Sequence, residues 1–131
     1  MSAAPRFRSF REFWPYYVGE HRQPLCRLIH YAAAVVGLAV ATTAIVMSAW
    51  WLLPLAVVCS YGLAWVAHFF VEHNHPATWS YVRWSLMAEY KMFFFAITGR
   101  MGSEMERLYG STAPPRDAPC LAPEHEAHRG S

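Results

Sequence analysis

His68 and Glu72 stand one helical turn apart at the far end of a twenty-residue apolar run, Leu52 to Val71, inside the segment HFFVEHNHPAT. An ionisable pair where a chain leaves bilayer hydrocarbon is costly to keep, which makes it a functional-site candidate by default. His30 opens the preceding apolar run, and His21 lies nine residues before it. Two imidazoles and a carboxylate on one face, with open positions beside them, are the donor set that holds Fe(II) and admits oxygen and a substrate. His30, His68 and Glu72 supply that set, and His21 is a candidate fourth ligand. Each residue also has a plainer role: a histidine at a membrane boundary can be an interfacial anchor, and Glu72 can pair with Arg27 or Arg83. Three groups at one depth shift the balance toward a metal site, because independent anchors need not converge.

Other candidates are weaker. His73 and His75 flank the motif, but positions one and three residues after Glu72 do not both share its face, so a solvated basic rim is the expected role. Cys26 precedes His30 by four residues, a spacing that suits a soft metal and equally a small apolar residue at a helix start. His125 and His128 fall in the C-terminal tail and are set aside.

The elements that must position these residues are helical. The chain has 131 residues, 55% hydrophobic and 15% charged, more apolar and less charged than a soluble domain. Residues 31 to 71 contain no Lys, Arg, Asp or Glu, so the oily middle is membrane material. At about 1.5 Å per residue, roughly 20 residues cross a hydrocarbon core of about 30 Å. Spans over about 28–49 and 52–71 are therefore predicted, joined by a tight hairpin with Trp50 and Trp51 as an aromatic belt and Pro54 near the start of the second helix. Arg6, Arg8, Arg11, Arg22 and Arg27 precede the first span, and Arg83, Lys91, Arg100 and Arg107 follow the second. With no basic residue at the tip, both termini are expected to face the cytosol, in the inner membrane of a bacterium or the endoplasmic reticulum of a eukaryote. A signal peptide is disfavoured by the late start and length of the apolar stretch and by the acid-containing, Pro15-bearing segment before it.

Depth counting ties the histidines together. From a tip near Trp50, His30 lies 20 residues back and His68 lies 18 forward, so both come to the same boundary, roughly 27 to 30 Å from the tip. Glu72 follows on the His68 face through the i, i+4 relation. Pro76 is expected to end that helix near His75. In one continuous helix His21 and His30 would sit on opposite faces, but Pro24 breaks the chain between them and lets His21 fold back.

Around this hairpin, Phe7 to Gly19 is expected as an interfacial helix kinked or restarted at Pro15, its aromatic residues in the headgroup plane. Trp79 to Thr98 is too short and too charged for a confident third span and is expected as a re-entrant or surface helix over the histidines. Gly99 should stop it, and Ser103 with Glu106 forms a capping-box pattern for a last helix through Tyr109. The expected organisation is one all-α membrane domain over 1–109, a two-span helical bundle with interfacial or re-entrant helices, and a disordered tail over 110–131. Cys26, Cys59 and Cys120 make no disulfide framework. There is no phosphate loop, nucleotide fingerprint, G-x-S-x-G elbow, CxxC pair or internal repeat, and no nucleic-acid partner is expected.

The stretches YYVGEHRQPLCRLIHY, YGLAWVAHFFVEHNHPATW and SLMAEYKMFFFAITGRM, within about Phe10 to Met101, resemble a widespread family of small membrane proteins long labelled as of unknown function. Its fungal member is an Fe(II)-dependent dioxygenase that shortens 2-hydroxy fatty acids during phytosphingosine breakdown in the endoplasmic reticulum. The family pattern of a Tyr, a His and a second His nine residues on matches Tyr17, His21 and His30. The later pattern matches Ala67, His68, Glu72, Asn74, Pro76, Ala77 and Thr78, and its acidic position after a Ser-Leu pair is Glu89. Two departures are present: Cys26 stands where the family carries Asn, and His73 and His75 replace basic residues beside Asn74.

The resemblance implies Fe(II) held by His21, His30 and His68, with Glu72 as a further ligand or as the group that orients them. The same four residues are the implied catalytic set. A 2-hydroxy fatty acid or related lipid would bind with O2 and lose one carbon as CO2, its acyl tail remaining in the membrane. Two alternatives stay beside this reading. Paired histidines on antiparallel spans also ligate haem, as in an electron-transfer protein, and a non-enzymatic membrane scaffold or lipid-binding protein would use the same residues as anchors.

Overall fold

The computed structural model describes residues 6–74 and 81–121. The described residues form five helices: α1 Phe10–Gly19, α2 Pro24–Val46, α3 Leu52–Val66, α4 Val82–Ile97 and α5 Met101–Tyr109, with α3 continued by a π-helical segment over Ala67–Glu72. The architecture is all-α, and two of its helices, Pro24–Val46 and Leu52–Glu72, are long and apolar enough to cross a membrane.

The α2–α3 hairpin inverts the usual relation between size and burial. Its buried apolar residues are small, Ala33, Ala34, Ala44 and Ala56, whereas Leu28, Val35, Leu38, Ile45, Val57, Val58 and Phe70 are exposed. Small residues at a helix pair let the backbones approach, and apolar bulk turned outward suits a lipid surround. Gly37 marks the approach: a Cβ there would lie 3.2 Å from Ser60 Oγ, which donates to Ala33 O. Residues 47–51 form the turn, with Ser48 in the left-handed region at φ 51°. Helix α2 ends earlier than the expected 49 and begins earlier than the expected 28, since Pro24 can occupy its opening turn without wasting an N–H donor.

Helices α1, α4 and α5 build a second layer beside the end of the hairpin that carries the histidines. Ser9 caps α1 by accepting from Glu12 N, and the helix continues through Pro15. Its aromatic face, expected against headgroups, is instead buried inside the protein: Phe13, Trp14, Tyr17 and Val18 pack with Ala88 and Met92 of α4 and Met105 and Leu108 of α5. An amphipathic helix buries its apolar stripe against whatever apolar surface is nearest, and here the chain supplies one. Lys91 rests its ammonium over the Trp14 ring at 4.2 Å, which accounts for a cation among aromatic residues.

Gly99, at φ +72°, follows the end of α4 as expected. Helix α5 opens at Met101 without a side-chain cap, so Ser103 and Glu106 lie inside it and the capping box is not formed; Gly110, left-handed at φ +81°, closes it. The α3 helix and its π-helical continuation stop at Glu72, earlier than the His75 end expected, because His73 turns left-handed at φ 56°. His75, Pro76 and the tail histidines His125 and His128 lie outside the described residues.

Where disorder was expected from Gly110, residues 110–121 run back along the protein. Arg27 donates to Thr112 O, Arg22 donates to Pro115 O and Ala118 O, and Leu121 N donates to Leu108 O. Backbone carbonyls satisfied by two arginines hold a segment whose composition alone gives no reason to fold.

Helices α1 and α5 approach closely at Gly19, where a Cβ would collide with Tyr109 Oη, itself donating to Pro15 O. Gly19→Ala is expected to destabilise the protein by about 1–3 kcal/mol through overpacking. In a Tyr109→Phe background the cost of the same substitution should shrink, since the nearest atom is gone. Thermal or denaturant unfolding of the four proteins checks this, and equal costs in the two backgrounds would refute the contact as the cause.

Candidate metal centre

Three imidazoles meet where the hairpin abuts α1 and α4. The ring centroids of His21 and His30 are 4.3 Å apart, those of His21 and His68 4.6 Å, and those of His30 and His68 5.0 Å. All three residues are buried. His21 occupies the break between Gly19 and Pro24, the bend that Pro24 requires, while His30 and His68 come to one level from the two arms of the hairpin.

Each ring is held by its Nδ1. His21 Nδ1 is 2.6 Å from Tyr17 O, His30 Nδ1 is 2.7 Å from Glu89 Oε2, and His68 Nδ1 is 2.7 Å from Asn74 Oδ1. A peptide carbonyl and an amide oxygen only accept hydrogen bonds, and Glu89 Oε2 also accepts from Tyr17 OH at 2.8 Å. In the neutral form of each imidazole the proton therefore sits on Nδ1 and leaves the Nε2 lone pair free. His21 Nε2 and His30 Nε2 are buried and have no hydrogen-bond partner among the described residues. Buried polar nitrogens without partners are rare, and rings oriented through Nδ1 by carbonyl or carboxylate groups are the arrangement that prepares Nε2 for a metal. Burial, then the neighbouring His30 and His68 rings, hold the His21 pKa well below its ordinary value, so it stays in the neutral form that can ligate.

The carboxylates divide differently from the sequence expectation. Glu89, the acidic family position after the Ser-Leu pair, reaches into the cluster as the partner of His30 and Tyr17. The carboxylate of Glu72 instead accepts from Gln23 N at the start of α2, while Arg116 donates to its backbone oxygen. The physical reason is the π-helical turn over Ala67–Glu72: its i to i+5 bonding changes the angular step per residue, so the α-helical i, i+4 argument that put Glu72 on the His68 face does not hold. Glu72 thereby ties the end of the second arm to the loop that carries His21.

The left-handed turn at His73 folds Asn74 back onto His68, and the Asn74 amide donates to Glu20 O and Glu20 Oε2. His73 itself is exposed. Arg27 lies buried beneath the loop and donates to His21 O and Arg22 O. Cys26 is fully buried, and its sulfur lies with donor atoms of His21 and His30 in a group whose members are all within 4.8 Å of one another. That triple omits His68, whereas ring packing includes it. His30 and His68 line the cavity beside the cluster, whereas His21 and Cys26 do not.

This cavity, about 40 Å³, lies between α3 and α4 and is bounded by Tyr17, Tyr61, Trp65, Ser85, Leu86 and Glu89 together with the two histidines. A lone acid on an apolar helix was the sequence signal for Glu89, since no other Asp or Glu occurs between His73 and Ser103. Asn74 and Tyr17 carried only their family match, and Arg27 carried no signal beyond its charge.

Helices of membrane-spanning length that end in a buried histidine cluster fitted to hold a metal ion define the class of protein. The chain belongs to the family described as 2-hydroxy-palmitic acid dioxygenase Mpo1-like, whose model matches residues 7–101. No curated protein and no solved structure matches the chain.

Proposed function

We propose that this protein is an Fe(II)-dependent membrane dioxygenase that shortens 2-hydroxy fatty acids, or closely related lipids, by one carbon. The observation that carries this reading is the pair of buried, unpartnered Nε2 atoms of His21 and His30, facing a third imidazole whose Nδ1 is likewise occupied. His21, His30 and His68 would hold the ferrous ion, which when bound would supply the chemistry that activates O2 beside the substrate. The chain's own residues do the rest. Tyr17 O, Glu89 and Asn74 fix the three rings, Glu89 adds a negative charge behind His30, and Glu72 braces the His21 loop through Gln23 N. The acid's carboxylate and 2-hydroxyl would enter the cavity and its alkyl chain would leave between α3 and α4.

The overall change balances as R–CHOH–COOH plus O2 giving R–COOH, CO2 and H2O. The C1–C2 bond breaks, the substrate gives up four electrons, and O2 takes them. In this reading the protein is a multi-pass membrane protein with both termini on the cytoplasmic side, so a lipid headgroup rests at the depth of the histidines.

The haem alternative meets a steric objection, since a porphyrin between any two of the imidazoles would displace the third at these ring spacings. The test is to purify the protein, measure bound iron, record its visible spectrum and assay 2-hydroxypalmitate under oxygen. Iron near one per chain, no haem bands and release of the acid one carbon shorter are expected. Absence of iron and of turnover, with wild type indistinguishable from His68→Ala, would sink the enzyme reading and leave a scaffold or lipid-binding role.

A further inference from the structure

Among the described residues, three buried side-chain polar atoms lack a hydrogen-bond partner: His21 Nε2, His30 Nε2 and Ser85 Oγ. The first two are accounted for by the proposed metal. The third is not. Ser85 is 3% exposed and lies on α4 one turn before Glu89, lining the same cavity as His30 and His68. A helical serine ordinarily bonds back to the carbonyl four residues earlier, yet the Ser85 hydroxyl does not, and its backbone N–H takes Tyr81 O. A buried hydroxyl without a protein partner is costly, and such groups mark places where something else completes the bonding.

The rest of the cavity describes the occupant. The cavity is a slot between α3 and α4, with Tyr61 and Trp65 on one side and Ser85, Leu86 and Glu89 on the other. Trp65 of α3 and Leu86 of α4 line it and are 40% and 50% exposed on the outer, apolar surface. An oxygenated group at the histidine end and an alkyl chain through the slot are the complement of this shape. Resting on the dioxygenase reading, we propose that Ser85 is a substrate-positioning residue whose hydroxyl donates a hydrogen bond to the carboxylate of the 2-hydroxy acid, while the acyl tail passes sideways between α3 and α4 into lipid.

The experiment measures binding of labelled 2-hydroxypalmitate and of 1-hexadecanol, which lacks the carboxylate, to the full chain in lipid nanodiscs, metal-free and with Fe(II) under anaerobic conditions. Ser85→Ala is expected to weaken binding of the acid about tenfold or more, the loss of one hydrogen bond to a charged group. It should leave hexadecanol binding and iron content unchanged, and Ser85→Thr should restore the acid. Under oxygen the Ala variant should lose kcat/KM mainly through KM. Acid binding equal to wild type in Ser85→Ala, or an equal loss for hexadecanol, overturns the role of Ser85 and leaves the enzyme reading standing. Wild-type protein that binds no 2-hydroxypalmitate in either metal state overturns the enzyme reading, and the Ser85 assignment with it.

Discussion

His68→Ala is expected to lower bound iron from about one per chain to below roughly a tenth, and turnover of 2-hydroxypalmitate by at least about 100-fold, with helical content unchanged. The same losses are expected for His21→Ala and His30→Ala, because each ring is already oriented by a separate partner and none can replace another. Tyr17 O, Glu89 and Asn74 lie on three different parts of the chain, so removing one imidazole leaves the other two in place. The informative comparison is with Cys26→Ser. Should His68→Ala retain iron while Cys26→Ser loses it, the metal is held by the compact group of His21, Cys26 and His30 and the three-histidine assignment is wrong. Metal analysis of the four purified variants, with circular dichroism as the folding control, decides the matter.

The second large effect separates the two carboxylates. Glu89→Gln keeps an oxygen that can accept from His30 Nδ1 but removes the charge behind that ring. Groups in this position typically contribute 10- to 100-fold to metal affinity or activity, so a loss of about that size is expected in both. Glu72→Gln still offers an oxygen to Gln23 N and should stay within about threefold of wild type in iron affinity, since the carboxylate is engaged by the backbone and not by an imidazole. Competition titration with a chelator, followed by steady-state assay, gives both numbers. The reverse ranking, with Glu72→Gln iron-free and Glu89→Gln nearly normal, would return Glu72 to the ligand set and remove Glu89 from it.

These expectations also show which parts of the molecule could be read from residue order. Hydropathy and chain length locate two helices of spanning length and the turn between them, because those properties are local and each residue carries its own transfer preference. Counting along two such helices brings His30 and His68 to one level without knowledge of the packing. Pro24 predicts the bend that carries His21, since a proline restricts the residue before it wherever it occurs. Glycines 99 and 110 mark helix ends for an equally local reason.

What was not legible depends on the third dimension. The π-helical turn at Ala67–Glu72 alters a helical register that sequence spacing assumes to be uniform, and it turned Glu72 toward Gln23. The aromatic face of α1 was written for some apolar surface, and only the tertiary arrangement made that surface α4 and α5 and not lipid. The backbone carbonyls of residues 112 to 118 became partners of Arg22 and Arg27 only once the chain returned to them. Residue order alone thus determined two helices of spanning length and the common level of His30 and His68 along them, properties additive along the chain. Packing between elements distant in sequence decided which carboxylate supports the imidazoles and which serine hydroxyl lines the cavity, because a hydrogen bond depends on the position of both partners.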